Sequence, residues 1–150
     1  MKYYAFFIIA LMGLTACTEM HSAHNERVEK CANAFAEAYF NYDFMAAREL
    51  VTPESEKWLR FAASNMTQED IDMLNASSVA ATTAVSDITT VDDSTAIATI
   101  KVKDFLQKDS IGRAGKMVDE AQFELTVIKR DKQYFVRMEG LPRSERQSRD

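Results

Sequence analysis

The sequence predicts an α+β domain in which amino-terminal helices pack on a curved, cone-like antiparallel sheet of four or more strands. Two observations support this class. Apolar residues recur every three or four positions between residues 26 and 74, as on one face of a helix, whereas after Asn75 the chain is rich in Thr, Val, Ile and Ala, as in strands. Because the helices precede the strands along the chain, the pattern favours one antiparallel sheet covered by helices.

Length and composition are those of an ordinary globular protein. The 150 residues fit one domain, and 47% of them are hydrophobic while 27% are charged. The formal net charge of −5 disfavours binding to nucleic acid, so no nucleic-acid partner is expected. Of the two cysteines, Cys31 falls on the apolar face of the first predicted helix, where a buried role is expected.

The first seventeen residues carry an export pattern. Lys2 is followed by an uncharged run that ends at Ala16, too short for a spanning helix of about 20 apolar residues. The run ends in Leu14-Thr15-Ala16-Cys17, which resembles the lipobox of bacterial lipoproteins. That resemblance implies that residues 1–16 are a signal peptide, that Cys17 is modified with acyl chains, and that the chain is cut before Cys17.

The lipobox implies a membrane partner and a location. The mature protein is expected to be exported and held at the cell envelope by its acyl chains, such as palmitate. Residue 18 is Thr and not Asp, so by resemblance to enterobacterial sorting rules the outer membrane is predicted where the cell has one. Residues 17–25 are expected to form a lipidated polar tether. Within it, His21 and His24 are interpreted as solvated side chains, and no metal site is predicted.

Four helices are predicted after the tether. The first begins at Glu26, and Asp43 caps a second, short helix through Leu50. Thr52-Pro53-Glu54 starts a third helix, and Thr67 to Asp70 resembles a capping box that opens a fourth helix ending at Leu74. The apolar face of the first helix consists of Val28, Cys31, Ala32, Phe35, Tyr39 and Tyr42.

Two hairpins are predicted to form the sheet. A turn at Asp92-Asp93 pairs Val85 with Ile100 and Thr83 with Val102, and sets Lys101 and Lys103 on the outer face. A turn at Asp131-Lys132 pairs Val127 with Val136 and Leu125 with Met138, but it also sets Glu124 against Glu139. A loop over residues 108–116 joins the hairpins, and residues 141–150 are expected to be a disordered tail.

The order of these elements resembles the nuclear transport factor 2-like (cystatin-like) superfamily, in particular its small lipoproteins of unknown function. The resemblance spans residues 26–140 and rests on the long first helix with Phe35 and Tyr39, the Ala-rich segment around Phe44 to Leu50, and the strands that follow. It implies a sheet wrapped around the first helix, with a pocket at the open end of the cone. Some members are isomerases or dehydratases, but none of their motifs is present here.

Candidate site residues are few. In the predicted register Asp104 lies opposite Ala81 and Asp87 opposite Ala98, so each carboxylate would sit in an apolar wall as a weak candidate for a catalytic base. Five aromatic residues are candidates to line a pocket, although such a stripe is more often core. These are Phe35, Tyr39, Tyr42, Trp58 and Phe61.

Two classes of function remain open. With both histidines assigned to the tether and no nucleophile–base set visible, the sequence favours a non-catalytic module that binds an envelope protein or a small ligand. The alternative is a small-molecule enzyme that uses the cone pocket. No cofactor is predicted for either class.

Overall fold

The computed structural model describes the backbone of residues 15–145 and the side chains of residues 19–145. Residues 1–14 of the predicted signal peptide, the Cys17 side chain and residues 146–150 lie outside this part. Helices come first and the four strands follow, as predicted for an α+β domain. The elements are α1 Thr15–Phe40, α2 Phe44–Arg48, a 3₁₀ turn Pro53–Ser55, α3 Glu56–Ser64, α4 Gln68–Ala76, β1 Thr82–Asp92, β2 Thr95–Gln107, β3 Lys116–Arg130 and β4 Gln133–Arg137.

Helix α1 is longer than predicted, and the tether that we expected over residues 17–25 is helical. His24 was interpreted as solvated, but this prediction is wrong: His24 is half-buried, and its Nδ1 shares a hydrogen bond of 2.8 Å with the hydroxyl of Tyr134 on β4. His21 is exposed, as expected. Residues 19–23 are exposed and residues 24 and 25 are half-buried, which fits the lack of an apolar period in this segment.

The short helices begin at the predicted caps. The Asp43 side chain accepts a hydrogen bond from the Ala46 N–H at 3.0 Å and starts α2. Thr67 and Asp70 form the complete capping box that opens α4. The start of the third predicted helix differs, since the Thr52 hydroxyl caps no backbone group. It forms a hydrogen bond of 2.7 Å with Ser55 Oγ instead.

The first hairpin has the predicted register over the core but a different turn. Val85 pairs with Ile100 and Thr83 with Val102, while the turn lies at Asp93-Ser94, one residue later than predicted. Two register shifts in β1, after Val85 and after Thr90, compensate for the displaced turn. Such bulges also bend a strand and increase its twist.

The second hairpin turns at Asp131-Lys132 as predicted, with both residues at positive φ. Val127 pairs with Val136, but the ladder ends at the next pair, Thr126 with Arg137. Met138 instead bonds the side chain of Ser55 through its N–H at 2.8 Å. Because β4 leaves the sheet there, the predicted pairs Leu125–Met138 and Glu124–Glu139 do not form, which removes the unfavourable contact between two glutamates.

The strands form one antiparallel sheet in the order β1-β2-β3-β4. Residues 50–52 run along the outer edge of β4, where Val51 forms a parallel bridge with Val136. The predicted tail is partly ordered. Ser144 is buried and bridges Phe123, so the described part of the tail, through residue 145, lies against β3.

The core lies between α1 and the inner face of the sheet. Helix α1 contacts all four strands, and Cys31 is buried on it as predicted. Phe35 is fully buried, and Trp58 of α3 is half-buried and packs on the same cluster. One cluster therefore joins α1 and α3, with Phe35 at its centre and Trp58 at its margin.

Replacing Phe35 by Ala should lower the free energy of unfolding by about 3–5 kcal/mol, because it leaves a cavity between α1 and the sheet. Urea denaturation followed by circular dichroism measures this change. The matched control is Met45→Ala, since Met45 is 73% exposed on α2 and should shift stability by no more than about 0.5 kcal/mol. Equal, small effects of both substitutions would contradict the assignment of the inner face of α1.

Candidate functional site

The two candidate carboxylates do not lie in an apolar wall. Asp104 is exposed and has a φ of 54°, so the alternation of β2 is interrupted there and the next two residues, Phe105 and Leu106, are both buried. Asp87 is exposed and pairs with Thr99, because the first bulge shifts it away from Ala98. The predicted placement of both side chains is wrong, and the cause in each case is a local backbone irregularity.

The five candidate aromatic residues divide into two groups. Phe35, Tyr39 and Tyr42 belong to a cluster at the carboxyl end of α1, in which the rings of Phe35 and Tyr39 stack at 5.5 Å. Trp58 and Phe61 form a separate edge-to-face pair on α3, at 6.4 Å between centroids.

The contacts of the two tyrosines in this cluster stabilise the fold. Burial raises the pKa of Tyr39 above its usual value. Burial likewise raises the pKa of Tyr42, with smaller contributions from Tyr39 and the Asp70 carboxylate. The Tyr42 hydroxyl donates to the Leu106 carbonyl at 2.7 Å, which ties the residues after α1 to the end of β2. Both side chains therefore remain neutral at physiological pH.

Two open grooves lie on the surface. One of about 420 Å³ runs beside β4 and is lined by Arg48, Val51, Arg130 and Phe135, among others. The other, of about 360 Å³, lies between β3, β4 and residues 139–143. Neither groove includes the five candidate aromatic residues.

The outer face of the sheet carries an apolar stripe and, farther along the strands, a charged region. Ile128 lies opposite Phe135 on β4 and diagonally across from Ile97 on β2, where its direct partner is Thr95, and the three apolar side chains are half-exposed. Diagonal neighbours on one face of a sheet are still within reach of long side chains. The sequence predicted the lysines on this face but not the apolar stripe. In a strand sequence, a half-exposed isoleucine cannot be told from a buried one.

The charged region of the outer face centres on Glu120. Its carboxylate lies 3.4 Å from the ammonium groups of both Lys101 and Lys103, which face outward as predicted. Partial desolvation opposes ionisation, but the two positive charges hold the pKa of Glu120 below its usual value. The network holds two positive charges and one negative charge, and the exposed carboxylate of Glu124 lies on the same face, opposite Thr99.

A buried carboxylate lies at the opposite end of the domain from the hairpin turns. Asp70 is fully buried and accepts hydrogen bonds from the Gly115 N–H at 2.7 Å, from the Thr67 N–H at 2.8 Å and from the Thr67 hydroxyl at 2.9 Å. The ammonium of Lys108 pairs with the same carboxylate. A Cβ at position 115 would lie 2.5 Å from the Gln107 carbonyl oxygen, so the loop reaches Asp70 only with glycine there.

The hydrogen bonds to Asp70 decide its charge state. Burial alone would raise the pKa of this carboxyl, but the donors from Gly115, Lys108 and Thr67 outweigh burial and lower the pKa to about 2. Asp70 is therefore a satisfied structural anion that joins α4 to the loop after β2. The sequence indicated its capping role, whereas the partners in residues 108–115 carry no local sequence signal.

Within residues 15–145, no helix is long and apolar enough to cross a membrane. The same described part of the chain holds no group of three or more His, Cys, Asp or Glu side chains that could bind a metal ion.

Comparisons with known proteins add little to these observations. No family model matches the sequence, and a search of curated proteins finds no match. A solved structure described as "Ntf2 like protein involved in plasmid conjugation" superposes with a TM-score of 0.41 and 13% identity, over 80% of this chain and 48% of that chain. The present chain thus spans about half the length of that structure. A similarity at this level carries no argument about function.

Because the folded-state pKa of Asp70 lies below its ordinary value of 3.8, ionised Asp70 stabilises the fold above pH 4. This contribution, about 2 kcal/mol, should be lost as the pH falls from about 4 to about 2. Urea titrations at several pH values measure it. Asp70→Asn should be less stable near pH 7 and should lack this part of the acid dependence. Asp72→Asn, a substitution at an exposed position of the same helix, should keep this acid dependence. If the stability of Asp70→Asn depended on pH as that of the wild type does, the assigned role of Asp70 would be wrong.

Proposed function

We propose that this protein is a lipid-anchored binding module of the cell envelope, which recognises a partner protein through the outer face of its sheet. The observation that carries the proposal is the composition of that face. Three half-exposed apolar side chains, Ile97, Ile128 and Phe135, share this face with the Lys101–Glu120–Lys103 network. Protein interfaces combine apolar side chains with polar and charged ones.

The packing of α1 supports this use of the outer face. Helix α1 covers the inner face and buries Ala96, Ala98 and Ile100 of β2. On the outer face, the alternate residues of the same strand stay half-exposed, including Thr99 and Lys101. The central strands therefore offer a surface of regular geometry and fixed side-chain spacing. A rigid surface of this kind loses little conformational entropy on binding.

The anchor in the proposal rests on the sequence Leu14-Thr15-Ala16-Cys17. Two or three acyl chains on one cysteine would hold the protein at a membrane nearly irreversibly, since one chain alone gives only reversible binding. A membrane-held module meets a partner in the same envelope at high effective concentration.

Mass spectrometry of the mature amino-terminal peptide tests the anchor. The peptide should begin at Cys17 and carry acyl groups, and Cys17→Ala should leave the leader uncleaved. Cys31→Ala is the control, because that thiol is buried in the core and its loss should leave acylation intact. A mature form that begins at another residue and carries no lipid would overturn the anchor.

Site-specific photo-crosslinking in intact cells tests the binding face. A photoreactive amino acid at Thr99, on the outer face, should give one discrete adduct, and the same group at Met45 on α2 should not. Adding Lys101→Glu and Lys103→Glu should abolish the adduct, while the melting temperature stays within a few degrees of the wild type because exposed ion pairs contribute little to stability.

Lys30→Glu is the charge-matched control, since Lys30 is exposed on α1 and away from the sheet. It should leave the adduct at position 99 unchanged. An adduct that survives reversal of both outer-face lysines, or one that forms equally well from position 45, would show that the outer face does not bind the partner.

A further inference from the structure

Both hairpin turns and the amino-terminal part of α1 lie at one end of the domain. The Lys129 N–H donates to the Ser94 carbonyl at 2.7 Å, which joins the two turns. His24 on α1 bonds Tyr134, which pairs with Lys129 just after the second turn. We name residues 91–95 and 129–133 the hairpin end.

The carboxyl end of α1 lies at the opposite end of the sheet. The Asn41 side chain accepts from the Ala81 N–H at 2.9 Å and donates to the Ala81 carbonyl at 3.1 Å, just before β1 begins. Tyr42 bonds the Leu106 carbonyl near the end of β2. We name residues 108–115, which follow β2, the loop end. Helix α1 therefore runs from the hairpin end to the loop end.

The connection between Cys17 and the domain is short and helical. Cys17 precedes His24 by seven residues of α1, which is about 10 Å at the rise of an α-helix. The thirteen residues of β2 separate the two ends of the domain by about 40 Å. An anchor at residue 17 is therefore far closer to the hairpin end than to the loop end.

We propose that α1 acts as a stalk that sets the hairpin end against the phospholipid headgroups and points the loop end away from the membrane. This inference rests on the proposed acylation of Cys17. In this orientation the outer face of the sheet stands roughly perpendicular to the bilayer, so a partner in the same membrane approaches it from the side.

The chemistry of the hairpin end fits a headgroup layer. The end carries as many basic as acidic side chains, whereas the whole chain has a net charge of −5, so this end should be repelled less by anionic lipid than the average surface of the chain. Val91 is 57% exposed beside the first turn. The charged residues of the hairpin end are Asp92, Asp93, Asp131, Lys129, Arg130 and Lys132.

Energy transfer from two positions to labelled lipid tests the orientation. Acylated full-length protein is reconstituted into phosphatidylcholine–phosphatidylethanolamine vesicles that contain a headgroup-labelled acceptor lipid. A donor dye is placed on Ser94→Cys at the hairpin end or on Ser110→Cys at the loop end, two exposed positions. Burial raises the pKa of the Cys31 thiol to about 11, so labelling at pH 7 favours the introduced cysteine.

Transfer from position 94 should exceed transfer from position 110 by about threefold, because the two ends lie tens of ångströms apart along the sheet. Ser22→Pro should break the stalk and bring the two efficiencies close together, since proline removes a helical hydrogen bond and kinks the helix. Ser22→Ala, at the same exposed position, should keep the difference. Circular dichroism confirms that both variants retain the fold.

Equal transfer from the two positions, or stronger transfer from position 110, overturns the orientation while the anchor stands. A difference that survives Ser22→Pro shows that the helix does not set the orientation. Protein that fails to float with the vesicles overturns the anchor itself, and the orientation with it.

Discussion

The packing of α1 against the inner face of the sheet is the contact on which the rest of the structure depends. Small residues make it possible: Ala32 and Ala36 on the helix and Ala96 and Ala98 on β2 are all fully buried, so the helix axis can come close to the strands. Larger side chains such as Phe35 then fill the space on either side. Because this helix contacts every strand, its position determines which face of the sheet is core and which is exposed.

Buried polar groups hold the loops and strand ends that the packing of α1 on the sheet does not position. At one end Asp70 joins α4 to the loop after β2, and near β4 the Ser55 hydroxyl holds the Met138 N–H. Each group is fully buried, so leaving it without partners would cost more free energy than its hydrogen bonds contribute. Such contacts specify the positions of loops and strand ends that apolar packing alone would leave variable.

In the proposed function, α1 connects the membrane anchor at Cys17 to the domain whose outer face binds the partner. A flexible tether would let the domain turn freely above a membrane, whereas a helix that continues into the core passes the direction of its axis to the sheet. The bond between His24 and Tyr134 lies where the stalk meets β4. In the proposed function, core packing would thus set the geometry of the outer face relative to a bilayer.

The sequence by itself determined the class of the domain, the caps at Asp43 and Thr67, and the register that pairs Val85 with Ile100 and Val127 with Val136. These features depend on local hydrogen bonds and on the alternation of apolar and polar residues, and both can be recognised directly in the sequence. Only the tertiary structure decided the bulges that expose Asp87, the positive φ that exposes Asp104, and the helical course of residues 19–25. Each of these depends on contacts between distant segments, and the periodicity of a single segment does not record such contacts.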